Sequence, residues 1–123
     1  MTEQDILFTM SDCLFCKIID GSIPSNKIYE DDDLLAFHDI SPQAPVHFLV
    51  IPKKHIANVM EANPEDTELL GKLLYKGQEL LAGQGCAENG GRFVINCKSH
   101  GMQTVEHIHL HVLGGRSLLW PPG

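Results

Sequence analysis

The stretch "VEHIHLHVL" at 105–113 constrains the fold more than any other part of the sequence. Side chains alternate between the two faces of a β-strand, so Ile108, Leu110 and Val112 share one face of a strand predicted at 105–113. The opposite face carries three of the seven histidines in the chain, His107, His109 and His111. We therefore expect the apolar face to pack into a core while three imidazoles point together into a separate environment.

The spacing of these histidines limits what they can do. Same-face neighbours on a strand lie about 6.8 Å apart, so the outer pair is separated by about 13–14 Å. Zinc holds imidazole nitrogens at about 2.1 Å, so a straight strand can hardly bring all three histidines to one ion. At least one imidazole is left for other work. A neutral imidazole with a pKa near ~6.5 is a good nucleophile and proton carrier, which suits covalent catalysis at phosphorus.

Hydrophobic periodicity and turn residues predict the other elements. A helix from about 64 to 82 begins after Asn63, a good N-cap, and ends at Gly83, while a shorter helix covers 13–20. The predicted strands lie in "IYEDDDLLAFHD", which forms two around an acidic turn, in "VHFLVIP", which is apolar on both faces, and in "GRFVINC". The leucines that share the predicted apolar face of the long helix are Leu69, Leu70, Leu73, Leu74, Leu80 and Leu81. Together these elements define an α+β fold in which an antiparallel sheet packs against one long helix.

Composition argues against several classes of partner and location. The chain of 123 residues has a formal net charge of -7 and no basic stripe, and duplex nucleic acid requires many phosphate contacts, so we expect no nucleic-acid partner. The longest aliphatic runs, such as "FLVI" at 48–51, are far shorter than the ~20 residues of a membrane span. The first ten residues contain no Lys or Arg, so no secretory signal is predicted. Four cysteines in such a chain predict reduced thiols and a cytoplasmic location.

Two further features carry weaker signals. Cys13 and Cys16 form a Cys-x-x-Cys pair, whose spacing alone leaves zinc binding, redox chemistry and coincidence open. A redox motif usually lies near a βαβ unit, and none is predicted here. The loop "GMQT" at 101–104 offers donors that could hold phosphate oxygens, although an ordinary strand connection would have the same composition.

Three motifs resemble the histidine triad (HIT) superfamily. "HIHLHVL" at 107–113 resembles its His-x-His-x-His motif, while "FHDISPQAPVHFLVIPKKHI" at 37–56 and the terminal "LGGRSLLWPPG" are similar to its nucleotide-binding (Hint) branch. The resemblance covers 13–123, which we take as one domain with a C-terminal WPPG tail, and leaves 1–12 as an N-terminal extension. It implies a five-stranded antiparallel sheet with one long helix and a short N-terminal helix. It also implies a homodimer in which two sheets join into one of ten strands.

The resemblance implies an activity and assigns residues to it. Hint-like proteins bind purine nucleoside monophosphates and hydrolyse nucleoside phosphoramidates with no organic cofactor. His109 is then the nucleophile, forming a nucleotidyl-histidine that water hydrolyses, with His111 on the phosphate and Thr104 near the leaving group. His107 and His47 complete the catalytic histidine cluster. The implied nucleotide-binding residues are Phe37, Asp39, Ile40, Asn96, Gln103, Thr104, His109 and His111.

The resemblance extends to a metal and includes two departures. Many bacterial and plant HIT proteins hold a structural zinc, and the corresponding ligands here are Cys13, Cys16, His47 and His107. Thr104 stands where many relatives carry serine, which adds a methyl group beside the leaving group. Met102 stands where familiar animal relatives carry glycine, and this affects how closely the main chain can approach a ligand.

Other functions stay open at the level of sequence. The chain could be a purine mononucleotide-binding or scaffold protein in which hydrolysis is incidental. It could be a zinc hydrolase in which the histidines activate water. Within the superfamily, dinucleoside polyphosphate hydrolysis is the nearest competitor, and the WPPG tail weighs against it. The intact third histidine, His111, argues against the uridylyltransferase relatives, which carry glutamine there.

Overall fold

A computed structural model describes residues 12–123, so only Asp12 of the predicted N-terminal extension can be placed. The helices are α1 (Leu14–Ile19) and α2 (Thr67–Leu81), and the strands are β1 (Lys27–Glu30), β2 (Leu34–His38), β3 (Val46–Pro52), β4 (Gly91–Val94) and β5 (Leu110–Gly114). The strands form one antiparallel sheet in the order β1-β2-β3-β5-β4. The predicted α+β class, with five antiparallel strands, one long helix and a short N-terminal helix, is confirmed.

Local hydrogen bonds set the start of α2. A 3₁₀ turn at Pro64–Asp66 leads into the helix, and the main-chain N–H of Asn63 donates to Oδ2 of Asp66 at 2.9 Å. Lys54 Nζ lies 2.6 Å from the other carboxylate oxygen of Asp66. The carboxylate therefore satisfies an N–H that the helix itself cannot, which is the reason the chain turns into a helix at this point.

The sheet is covered on both faces. α2 packs on the face that carries Ile108, Leu110 and Val112, which are all almost fully buried. α1 covers the opposite face, where Phe15 and Ile18 join a second buried cluster. β3 lies between the two layers and is buried from its second residue onward, as predicted for a strand that is apolar on both faces. The predicted separation of the apolar trio from the histidines is therefore present in the fold.

The last strand is shorter than predicted. It begins at Leu110, not at 105, because the ladder with β3 pairs Val50 with Leu110 and thereby brings Pro52 opposite Ile108. Proline has no N–H with which to continue a ladder. The main-chain N–H of Ile108 donates instead to the carbonyl of Ile56 at 2.8 Å. Residues 107–109 thus leave the sheet pattern just where the first two histidines lie.

The buried stripe of α2 is narrower than its leucines suggest. Leu73 and Leu81 are buried, at 1% and 4% exposure, whereas Leu74 is 53% exposed. Gly77 is also buried and lies directly against β5. Leu74 therefore faces away from the core, in contrast to the prediction that all six leucines share one apolar face. No helix within residues 12–123 combines the length and apolar character required to cross a membrane.

The close approach of α2 to β5 gives a test of the packing. A Cβ at Gly77 would lie 2.8 Å from Cδ2 of Leu110 and 3.2 Å from Cγ2 of Val112, whereas a Cβ at Gly71 has nothing within 4 Å. We expect Gly77→Ala to lower the free energy of unfolding by about 1–2 kcal/mol, because the overpacking outweighs the gain in helix propensity. Gly71→Ala should raise it by up to about 1 kcal/mol. Urea denaturation of both variants measures the difference, and equal effects would contradict this packing.

Candidate active site and metal centre

The main chain fixes the proton on His109. This histidine follows His107 just before β5, and its side chain is buried, at 3% exposure. Nδ1 of His109 lies 2.8 Å from the carbonyl oxygen of His107. Because a carbonyl can only accept, Nδ1 carries the proton and Nε2 keeps its lone pair. Burial lowers the pKa of His109 below its ordinary value, which favours this neutral form.

Phe15 holds the ring of His109 from the side of α1. The two rings pack edge to face with centroids 5.0 Å apart, and Phe15 also contacts the ring of His107 in the same manner. The imidazole of His109 is therefore held by a hydrogen bond along its plane and by an aromatic ring across it. Such a fixed orientation is what a nucleophile requires.

A second group of polar side chains lies beside His109. The rings of His109 and His111 have centroids 5.0 Å apart, and Nδ1 of His111 lies 2.9 Å from Nε2 of His47. Oδ2 of Asp39 lies 3.4 Å from Nε2 of His47 and 3.9 Å from Nδ1 of His111. The register pairs His47 with Leu113 and Leu49 with His111, which places both histidines on the face covered by α1.

Hydrogen bonds also determine the protons of this pair. The main-chain N–H of Gln43 donates to Nδ1 of His47 at 3.0 Å, so the proton of His47 is on Nε2. Nε2–H of His47 then donates to Nδ1 of His111, which leaves the proton of His111 on its Nε2. Burial lowers the pKa of His111 to about 4, with the neighbouring His109 and His47 adding to the effect. Burial likewise lowers the pKa of His47, although Asp39 opposes it.

Four other side chains have the geometry of a metal centre. Cys13, Cys16, His55 and His107 each offer one ligand atom, and the four atoms lie within 4.8 Å of one another. Nδ1 of His107 lies 3.4 Å from Sγ of Cys13, 3.7 Å from Sγ of Cys16 and 3.2 Å from Nδ1 of His55. In a tetrahedral Cys₂His₂ zinc site, adjacent ligand atoms are about 3.3–3.8 Å apart. The group therefore fits a zinc ion.

The surroundings of these four side chains agree with that fit. Nε2 of His107 lies 2.7 Å from the carbonyl oxygen of Pro52, so Nε2 carries the proton and the lone pair of Nδ1 points at the two sulfurs. Burial lowers the pKa of His107 to about 4, so the imidazole is neutral, the state in which histidine binds metals. Burial raises the pKa of the Cys16 thiol to about 12, with the neighbouring Cys13 adding to the effect. The buried sulfur of Cys13, the half-buried sulfur of Cys16 and two imidazoles form a set that favours zinc.

This arrangement corrects one member of the predicted metal set. His47 is not with the cysteines and is replaced there by His55, whose Nδ1 lies 3.4 Å from Sγ of Cys16. Asp39, His47 and His111 are also close enough to surround an ion. However, the N–H of Gln43 occupies the lone pair of Nδ1 of His47 and leaves the proton on the nitrogen that would have to bind. We therefore interpret that trio as a proton-carrying group.

The loop before His107 is closed by Gln103. Its Nε2 donates to the carbonyls of Ala57 and Val105 at 2.7 and 2.9 Å, and its Oε1 accepts from the N–H of Lys98 at 2.9 Å. Both amide protons are thus engaged with the main chain, and the contact of Gln103 with a phosphate stays a prediction. Met102 takes up the left-handed conformation, with a φ of +58°, in which a glycine would be unstrained.

The remaining predicted residues differ in their surroundings. Thr104 is exposed and Asn96 is half-buried, and neither side chain makes a hydrogen bond within residues 12–123. Oδ1 of Asp39 accepts from the N–H of Ser41 at 2.8 Å. Phe37 is buried, with its ring 5.7 Å from that of Phe15. Ile40, in contrast, is fully exposed, at 102%.

Comparisons with known proteins agree with the fold and identify the family. A family model described as "Scavenger mRNA decapping enzyme C-term binding" matches residues 12–118. An uncharacterised HIT-like protein of Synechococcus elongatus is 55% identical over 112 residues, which cover 91% of this chain and 97% of the relative. One from Synechocystis is 52% identical over the same shares of both chains. The chain belongs to the histidine triad (HIT) family.

Solved structures are similar over the same part of the chain. A HIT family hydrolase from Legionella pneumophila is 53% identical, with a TM-score of 0.90, and the match covers 91% of this chain and all of that one. A histidine triad protein from Clostridium difficile is 41% identical, with a TM-score of 0.85, covering 88% of this chain and 94% of that one. The antiparallel sheet and its helices are therefore shared with crystallised members of the family.

Proposed function

We propose that this protein is a hydrolase of purine nucleoside phosphoramidates, of the Hint branch, that acts through a covalent nucleotide on His109. The observation that carries the proposal is the pair of nitrogens that His109 and His111 present. The hydrogen bond from Nδ1–H of His109 to the carbonyl of His107 leaves Nε2 unprotonated, with a free lone pair. The neighbouring His111 offers Nε2–H, because its Nδ1 accepts from His47. A nucleophile and a donor for a phosphoryl oxygen thus lie side by side.

The reaction has two steps. Nε2 of His109 attacks phosphorus, an N–P bond forms, and the bond from phosphorus to the amine breaks with its electron pair going to the amine nitrogen. That nitrogen must gain a proton, and we assign the hydroxyl of Thr104 as its donor. Water then attacks phosphorus and returns a proton to Thr104, the bond from phosphorus to His109 breaks with its electron pair going back to Nε2, and the nucleoside monophosphate leaves. Nε2–H of His111 stabilises negative charge on the phosphoryl oxygens in both steps.

The nucleoside is assigned to the side of the site near Asp39. A carboxylate accepts hydrogen bonds from paired ribose hydroxyls and would repel a phosphate, so Asp39 suits the sugar. Phe37 and Ile40 are the apolar residues proposed to contact the base, and the exposed side chain of Ile40 is free to cover it. Asn96 and Thr104, which make no hydrogen bonds within the described chain, are proposed to hold the phosphate.

The description of related structures supports a hydrolase. The structures from Legionella pneumophila and Clostridium thermocellum are both described as HIT family hydrolases. A protein that only bound nucleotides would use the N–H of His111, but it would have no need for a lone pair fixed on Nε2 of the buried His109. Dinucleoside polyphosphate hydrolysis would use the same nucleophile, so a panel of substrates has to decide the leaving group.

Rapid-quench intact-mass spectrometry tests the nucleophile. We expect wild-type protein mixed with an adenosine phosphoramidate to gain the mass of one adenylyl group. His109→Ala should form no adduct and lose turnover by at least about a thousandfold, because the covalent route is gone. His111→Ala is the matched control within the triad, since it should turn over slowly yet still form the adduct.

Two outcomes would overturn this assignment. An adduct of normal yield on His109→Ala would place the nucleophile elsewhere. Wild-type protein that binds AMP but neither forms an adduct nor releases amine would be a nucleotide-binding protein. Diadenosine polyphosphate turned over faster than the phosphoramidate would favour the polyphosphate hydrolase instead.

We further propose that Cys13, Cys16, His55 and His107 hold one structural zinc per chain. The ligand-atom distances and the hydrogen bond from His107 to Pro52 support this set. Zinc would fix α1 against the segment that carries the histidines, and its ligands leave no position for a substrate. The reaction above then proceeds through His109, and the metal is not required for bond cleavage.

Metal content distinguishes the ligand set that contains His55, taken from the structure, from the set that contains His47, implied by the family resemblance. We expect purified wild-type protein to contain about one zinc per chain by elemental mass spectrometry, and Cys16→Ser and His55→Ala to contain little. His47→Ala should keep its zinc, because His47 is bonded to Gln43 and His111. Loss of zinc in His47→Ala with full retention in His55→Ala would refute the assignment.

We propose that two copies of the chain associate through β4 and α2. β4 is an edge strand whose outer N–H and C=O groups are unpaired by the sheet, and Phe93, Ile95 and Leu74 expose 38%, 38% and 53% of their surfaces. Multi-angle light scattering should give twice the mass of one chain, and Phe93→Asp should give the mass of one. Wild-type protein with the mass of one chain would contradict the dimer.

The cytoplasmic location and the domain boundary at residue 13 stay predictions.

A further inference from the structure

The main chain of Gln43 occupies a central position beside the histidines. Its N–H donates to Nδ1 of His47 at 3.0 Å, and its carbonyl accepts from Nη2 of Arg116 at 2.8 Å. Arg116 follows β5, whereas Gln43 lies in the loop between β2 and β3. One residue thus connects the segment after the last strand to the histidine pair, and neither Gln43 nor Arg116 has a role in the reaction as proposed above.

Further contacts hold the main chain of Gln43 in place. The side-chain amide of Gln43 donates to the carbonyl of Ser41 at 2.9 Å, and the N–H of Ser41 donates to Asp39. On the other side of the loop, a Cβ at Gly115 would lie 2.9 Å from Cβ of Pro45, so the segment after β5 packs directly on the loop. The N–H of Gln43 is therefore aimed at His47 by contacts from both flanking segments.

The direction of the Gln43 N–H decides which nitrogen of His111 carries a proton. With Nδ1 of His47 occupied, its Nε2–H points at Nδ1 of His111, and Oδ2 of Asp39 at 3.4 Å attracts the same proton. In the opposite arrangement, Nδ1–H of His47 would face the N–H of Gln43. His111 would then turn a lone pair toward a bound phosphate, and two negative regions would repel each other.

We propose that Gln43, held by Arg116, is a positioning residue that fixes the tautomers of His47 and His111, so that His111 presents Nε2–H to the phosphate of the substrate. The catalytic part of this inference rests on the proposed function, but the tautomers themselves can be observed without any substrate. The proposal assigns the residues after β5 a role in the site of the same chain.

Long-range ¹H–¹⁵N correlation spectra of the histidine rings at neutral pH provide the first test. Wild-type His47 and His111 should both appear as Nε2–H tautomers, because Nδ1 of each ring accepts a hydrogen bond. Arg116→Ala should convert the two rings to mixed tautomers, and Arg116→Lys, which keeps a cationic donor, should restore part of the wild-type pattern. Arg92→Ala is the matched control for the spectra, since Arg92 also donates through Nη2 to a surface carbonyl, that of Leu119 at 2.7 Å.

An amide-to-ester replacement at residue 43 gives a second, more direct test. It removes the N–H and keeps the side chain and the carbonyl. We expect His47 to change to the Nδ1–H tautomer, and kcat for the phosphoramidate to fall by about three- to tenfold, the effect of one lost hydrogen bond. Wild-type tautomers in both the ester protein and Arg116→Ala would overturn the proposal. Tautomers that change as expected in a protein whose wild type forms no adduct would leave the positioning intact and refute the proposed function alone.

Discussion

Pro52 determines much of what surrounds the histidines. As the last residue of β3 it ends the ladder with β5, because it has no N–H to offer to the residue opposite. Its carbonyl, released from the ladder, accepts the proton of Nε2 of His107 at 2.7 Å. The segment 107–109 is consequently unpaired by the sheet, and its main chain can bond to its own side chains. The hydrogen bond from His109 to the carbonyl of His107 depends on this freedom.

The two groups of histidines are distinguished by the partners behind them and not by their own spacing. The carbonyl that accepts from Nε2 of His107 leaves a lone pair on Nδ1, which faces the sulfurs. The N–H that donates to Nδ1 of His47 leaves the proton on Nε2, which faces His111. Both groups satisfy the distances of a metal site. The hydrogen bonds of the distal nitrogens therefore decide which group can bind a cation and which can carry a proton.

The sequence predicted the parts of this site that follow from alternation along a strand. Ile108, Leu110 and Val112 pack under α2, and the two predicted helices begin and end close to their expected residues. His55 was missed as a metal ligand, because it lies outside every strand and reaches the cysteines through the turn after β3. The one feature of the sequence that could have indicated His55 was its position three residues after Pro52, where the chain leaves the sheet and has to turn.

The engagement of Gln103 could not be predicted for a similar reason. Its amide bonds to Ala57, which is 46 positions away, and such a contact between two irregular loops follows no periodicity. Polar residues in loops become predictable when the path of the main chain is known, since they satisfy whichever peptide groups the sheet leaves unpaired.

The contact between Cys13 and His107 joins residues that are 94 positions apart. Most of the domain is contained between them, so a cation held there would act as a cross-link that closes a loop of most of the described chain. The entropy lost when a chain closes into a loop grows with the logarithm of the loop length. A link across about 94 residues therefore raises the free energy of the unfolded chain by roughly 4 kcal/mol. The same four side chains would then limit how far the two ends of the domain can separate when the chain unfolds.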